Sequence, residues 1–113
     1  MEVAGVLLEN GAVISARDAW GSTPLHLAAR SGYDTVVELL LEKGADANLK
    51  ENDGWTPLHR AAMGGFQKIG ELLLAHNADL NATGQDGRTP LTMAVGQQQL
   101  AMAEFLRKRG AHE

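Results

Sequence analysis

The chain is predicted to fold as an all-α solenoid of stacked helix-turn-helix units joined by projecting β-turns. Three observations carry this prediction. Thr23, Thr56 and Thr89 each open a Thr-Pro-Leu triplet and lie 33 residues apart, twice over. The same register repeats Gly21, Gly54 and Gly87, the pairs Ala28-Ala29 and Ala61-Ala62, and Leu39-Leu40, Leu72-Leu73 and Phe105-Leu106. Only five of the 113 residues are aromatic (Trp20, Tyr33, Trp55, Phe66 and Phe105), so the core must be built from Leu, Ala, Val, Ile and Met, which suits closely stacked small helices. A short unit of this kind cannot bury its apolar face alone, and stacking on its neighbours supplies the missing core.

Each element follows from local chemistry. Thr before Pro is a helix N-cap followed by the residue best tolerated at the first helical position, which predicts a short Ala-rich helix over roughly residues 24–30. Gly32 ends it in a left-handed conformation. A second helix over roughly 35–42 places Val36, Leu39 and Leu40 on one buried stripe. Gly44 closes it, and Asn77 takes the same place one unit later as the next-best residue for that backbone. Asp53-Gly54 and Asp86-Gly87 are turn dipeptides that set a β-turn between successive helix pairs. At these lengths neither helix is stable in isolation. Read in this register, residues 1–17 are a partial unit holding only a second helix. Residues 18–50 and 51–83 are full units, and 84–113 form a C-terminal, capping-like unit.

The stretches GSTPLHLAARSGYDTVVELLLEKGADAN (21–48) and GWTPLHRAAMGGFQKIGELLLAHNADLN (54–81) resemble the ankyrin repeat family, and a more divergent copy begins at Gly87. The likeness covers essentially the whole chain, and the period combined with T-P-L-H-x-A is highly specific. It implies that His26 and His59 are structural bridges that hydrogen-bond neighbouring backbone. Thr92 fills their slot in the third unit. The chain departs from the pattern at Val13 and Ser15, which replace Asp and Asn. Trp20 and Gly84 interrupt an acidic turn, and Gln97-Gln98-Gln99 replaces Ser-Gly-Tyr and Gly-Gly-Phe, leaving Gly96 as the only glycine there.

Composition narrows the function. The net charge of −4 repels a phosphate backbone, and the one basic run, Arg107-Lys108-Arg109, sits where cations complement the end of a last helix. Nucleic acid is therefore not an expected partner. The chain has no cysteine, so disulfides, thiol nucleophiles and thiolate metal sites are excluded. No apolar run approaches the ~20 residues of a membrane span. The start lacks the basic region of a signal peptide and carries Glu2 and Glu9, so an intracellular setting, cytoplasmic or nuclear, is expected. His76 and His112 fall at helix ends, and no further ligands stand at metal-binding spacing beside His26 or His59. Ser15, Ser22 and Ser31 lack a base and an orienting acid, and no phosphate-cradling glycine loop occurs. The expectation is a non-enzyme without cofactor or metal.

What varies between units is surface. The resemblance implies protein binding through turn tips and the inner helix face. In the first full unit these positions are Arg17, Ala19, Trp20, Ser22, Arg30 and Ser31. In the second they are Lys50, Asn52, Asp53, Trp55, Met63 and Gly64. In the third they are Thr83, Gln85, Asp86, Arg88, Gly96 and Gln97. Both tryptophans fall in this set, either as binding anchors, since Trp and Arg dominate hot spots, or as local packing over a neighbouring turn. At the far end Leu41 and Leu74 give way to Arg107, as in a polar cap, whereas the first helix carries Val3, Val6 and Leu7 with no preceding partner. Either further units precede it or another chain covers it. The alternative to a partner-binding module is thus a self-associating or engineered scaffold that forms a homodimer through this end.

Overall fold

A computed structural model describes residues 16–111, within which six helices form three pairs. They are α1 (Pro24–Ser31), α2 (Asp34–Glu42), α3 (Pro57–Gly64), α4 (Gln67–Ala75), α5 (Pro90–Gly96) and α6 (Leu100–Lys108). The expectations for the partial unit, including Val3, Val6 and Leu7, lie outside the described residues, as does His112.

The N-terminus of each first helix is built as the sequence dictates. Thr23, Thr56 and Thr89 are extended N-caps whose hydroxyls accept the backbone N–H three residues on, and proline follows at the first helical position. The residue at that third position, His26, His59 or Thr92, bonds back to the N-cap amide and completes a reciprocal box. α1 and α3 end on Gly32 and Gly65 in the left-handed region, at φ 77° and 72°. In the third unit the expected glycine is absent and Gly96 does not substitute for it. Gly96 is the last residue of α5, and Gln98 adopts the left-handed backbone instead, at φ 59°. Asn77 takes the conformation expected of it, at φ 70°.

Stacking then follows two parallel rows. α1, α3 and α5 pack in succession, as do α2, α4 and α6, and each first helix packs on the second helix of its own unit. Leu25, Leu58 and Leu91 occupy one slot of the first row, and Leu40, Leu73 and Leu106 one slot of the second, all essentially without solvent contact. Each such leucine contributes ~1.5–3 kcal/mol by leaving water. Ala28, Ala29, Ala61, Ala62 and Ala94 keep the first-row helices close. In the second row Gly70 does the same for α4, because a Cβ there would lie 2.9 Å from Met102 Cε.

Between pairs the chain turns sharply. The amides of Gly21, Gly54 and Gly87 donate to the carbonyls of Asp18, Glu51 and Gly84 at 3.0, 2.8 and 3.0 Å, so the glycine is the last residue of each turn, not part of its central pair. Successive turns are tied by one backbone bond each, Asn52 N–H to Trp20 C=O at 2.9 Å and Gln85 N–H to Asp53 C=O at 3.0 Å. The approach is close: a Cβ on Gly54 would fall 2.8 Å from the Gln85 nitrogen.

Candidate protein-binding surface

Several residues expected on the binding strip prove to fasten one unit to the next. Arg17 Nη1 donates to the Lys50 carbonyl at 2.6 Å and to that of Gly21 at 3.2 Å. Lys50 Nζ repeats the first bond one unit later, donating to the Thr83 carbonyl at 2.9 Å. Asn52 Nδ2 donates to the Ala19 carbonyl at 3.1 Å. These polar side chains therefore carry a structural duty on the turn edge. Asn48, outside the expected set, adds another clamp, with its amide donating to Asn77 C=O and its oxygen accepting from Asp79 N–H.

The two tryptophans part company. Trp20 is 70 % exposed, on a backbone pinned by its own N–H to Asp18 Oδ1 at 2.9 Å and by its carbonyl to Asn52. Trp55 is half-buried, meets the His59 ring edge-on with centroids 5.0 Å apart, and covers Gly84, where a Cβ would lie 3.0 Å from Cζ3. Trp20 lines a cleft of about 310 Å³ with Ser22, Arg30, Glu51, Asp53 and Arg60. Trp55 lines a different, shallower one of about 170 Å³ with Asp53, Gln85 and Asp86. The two indoles do not share a cleft.

Ser22 was expected at the surface and is instead 4 % exposed, on the floor of the Trp20 cleft. Its hydroxyl donates to Glu51 Oε2, and Arg60 Nε donates to Glu51 Oε1 at 2.7 Å. The carboxylate is buried with both oxygens engaged, which is the condition for burying a charge at all. Glu51 and Arg60 were not singled out in the sequence, although a signal existed. Glu51 stands where the other units have Asp18 and Gly84, and Arg60 where they have Leu27 and Met93. A cation in an otherwise apolar slot calls for an acid nearby, and Glu51 is the longer of the two acids found at its position.

Of the remaining strip residues, Ala19, Arg30, Ser31, Gly64, Thr83, Gln85 and Asp86 are exposed and Met63 is half-buried. Arg88 is exposed, bonds Asp86 through Nε at 3.3 Å, and lines a third cleft of about 400 Å³ with Thr92, Met93, Val95, Gly96 and Gln97. His26 and His59 are buried and pass through the stack. Nε2 of His26 lies 2.9 Å from the Trp55 carbonyl, and Nε2 of His59 2.9 Å from that of Arg88. Burial pushes both imidazoles below their ordinary pKa, and the carbonyls oppose the shift without reversing it. Among the described residues no group of three His, Asp or Glu converges as a metal site requires, and no helix is long and apolar enough to cross a membrane.

Comparison with known families agrees with this construction. A family model described as Ankyrin repeats (3 copies) matches residues 43–113, and one described as Ankyrin repeats (many copies) matches residues 6–61. The chain belongs to the ankyrin repeat family. No curated protein matches it. Ankyrin repeats are generally protein–protein interaction modules. In this ankyrin domain the turn tips and the first-helix row carry exposed, unit-specific groups such as Trp20 and Arg30, while the repeated His26 and His59 hold the stack.

Proposed function

We propose that this ankyrin domain is a non-catalytic recognition module that binds a protein partner along the turn tips and the first-helix face. The observation that carries the reading is Trp20, an indole on a hydrogen-bonded backbone with most of its surface in water beside a cleft that it lines. An exposed aromatic on an ordered backbone is ready to bind, because little conformational entropy is left to lose. The ionisable groups nearby support binding over catalysis, since Glu51 and both histidines are committed to the scaffold. The test begins with a partner captured and identified on the wild-type chain. Its affinity is then measured for Trp20→Ala and for Glu42→Ala on α2. Loss with Trp20→Ala alone supports the strip, and loss with Glu42→Ala alone refutes it.

The self-associating alternative rests on Val3, Val6 and Leu7, which lie outside the described residues. Sedimentation of the wild type and Val6→Glu across a wide concentration range decides it, since a strict monomer in both removes that reading.

A further inference from the structure

We propose that the cleft at Trp20 receives a single acidic side chain of the partner, held by Arg30, with an adjoining apolar residue of the partner laid against the indole. This deepens, and rests on, the reading of the strip as the recognition surface. Most charges in and around the cleft are already met within the chain. Glu51 has both oxygens engaged, by Arg60 and Ser22. Asp18, at the base of the same turn, turns one oxygen to the amides of Trp20 and Ser22, each at 2.9 Å. Arg60 is the partner of Glu51.

Arg30 differs from these. It lines the same cleft, is exposed, and makes no hydrogen bond or ion pair with a described residue. Its guanidinium offers a planar fork of donors that matches a carboxylate with two parallel bonds. The slot is specific to this unit, because Met63 and Gly96 occupy it in the other two. Trp20 is likewise unit-specific, replaced by Asp53 and Asp86. A guanidinium and an indole thus coincide in this cleft, whose volume of about 310 Å³ has room for one or two side chains, whereas the Trp55 cleft is lined by Asp53, Gln85 and Asp86 without a cation.

The surrounding charges set the anion's valence. With Asp53 and Glu51 lining the cleft and Asp18 near enough to feel the Arg30 charge, Arg30 is the one cation there whose guanidinium is not held in an ion pair. A phosphate dianion or nucleic-acid backbone would be repelled there, and the net charge of −4 adds to that repulsion. One carboxylate matches the one guanidinium left without an ion-pair contact, and Asp53 disfavours a second acidic residue beside it. The fitting segment is therefore an isolated Asp or Glu next to an aromatic or aliphatic residue.

A phage-displayed random peptide library selected on the intact chain tests this. Enriched peptides, synthesised and measured by calorimetry, are expected to carry such an isolated acidic residue. Converting it to its amide, or Arg30→Gln in the protein, should each weaken binding at least about tenfold, and the two together should do little more than either alone. Arg30→Gln has no intramolecular bond to lose, so its circular dichroism should match the wild type. If Trp20→Ala weakens binding but Arg30→Gln and the amide do not, the carboxylate inference falls and the recognition strip stands. If peptides bind with neither substitution mattering, both readings fall. Failure to enrich any peptide overturns the inference as well.

Discussion

His59 joins two units by a single ring. Its Nε2–H donates to the Arg88 carbonyl 29 residues away, while Nδ1 accepts from the Thr56 amide at 3.0 Å and pairs with the Thr56 hydroxyl at 2.9 Å. Thr92, in the same slot, bonds only within its own cap, to the Thr89 amide and carbonyl at 2.6 and 2.7 Å. His59→Ala should therefore cost about 2–4 kcal/mol, because it leaves the buried Thr56 amide unmet, takes one of two donors from the Arg88 carbonyl (the Gly84 amide remains at 3.0 Å) and opens a cavity. Thr92→Ala should cost about 1 kcal/mol. Urea denaturation of both variants gives the ranking, and equal losses would contradict the bridging role.

Because Nδ1 accepts and Nε2 donates, both histidines must be neutral in the fold. Burial holds their pKa values below the ordinary 6.5, so the unfolded chain takes up protons first as the pH falls. Their contribution is complete above the unfolded value and is lost progressively from about pH 6.5 downward, toward the lower folded values. Unfolding midpoints measured from about pH 8 to about pH 5 should fall over the acid half for the wild type and flatten in His26→Gln/His59→Gln. A wild-type profile as flat as that of the double variant would contradict the assignment.

The Glu51–Arg60 pair has one member almost fully inside, with side-chain exposures of 3 % and 20 %. Arg60→Leu, which installs the residue found at position 27, should destabilise by about 2–4 kcal/mol, since it strands a buried carboxylate. Adding Glu51→Gln to Arg60→Leu should recover part of that loss, as the stranded group is then uncharged. Thermal melts of the two single variants and the double variant supply the cycle, and simple additivity would show that the pair is not coupled.

Legibility from the sequence divides along the range of each interaction. Helix bounds, N-caps and the left-handed closures at Gly32, Gly44 and Asn77 were readable because each is settled within about four residues by proline, threonine hydroxyls or glycine. The cross-unit clamps of Arg17, Lys50 and Asn52 were not, and neither was the Ser22–Glu51–Arg60 cluster. Periodicity says that positions one unit apart are neighbours. It does not say whether a long polar side chain lies along the stack or points into water. The same limit explains the tryptophans, whose different exposures depend on what the next turn offers: Gly84 is small enough to be covered by Trp55.

Gln98 offers a backbone test. It sits at φ 59°, in the place held by Gly32 and Gly65, with a Cβ that is disfavoured there. Gln98→Gly should stabilise the chain by about 0.5–1 kcal/mol, the residual strain less the entropy that glycine adds to the unfolded state. The reciprocal Gly32→Ala should destabilise by more, since strain is joined by a Cβ 2.9 Å from the Phe66 ring. Denaturant midpoints that move in the same direction for both variants would contradict backbone strain at Gln98.

The contrast between the indoles yields the prediction that separates frame from surface. Trp55 packs on the core, against His59 and over Gly84, whereas Trp20 leaves 70 % of its surface in water. Trp55→Ala removes apolar contact from two units at once and should cost about 2–3 kcal/mol, below the range for a fully buried tryptophan because the ring is half covered. Trp20→Ala should change stability by no more than about 0.5 kcal/mol, as exposed substitutions do. Any partner affinity lost in Trp20→Ala can then be read as lost contact, while loss in Trp55→Ala must first be corrected for unfolding. Fluorescence gives an independent check. In the wild type, acrylamide should quench a readily accessible and a protected fraction, and Trp20→Ala should leave the protected one. Equal quenching of the single-tryptophan variants, or a large stability loss in Trp20→Ala, would move Trp20 from the surface to the frame and remove the basis for treating it as an anchor.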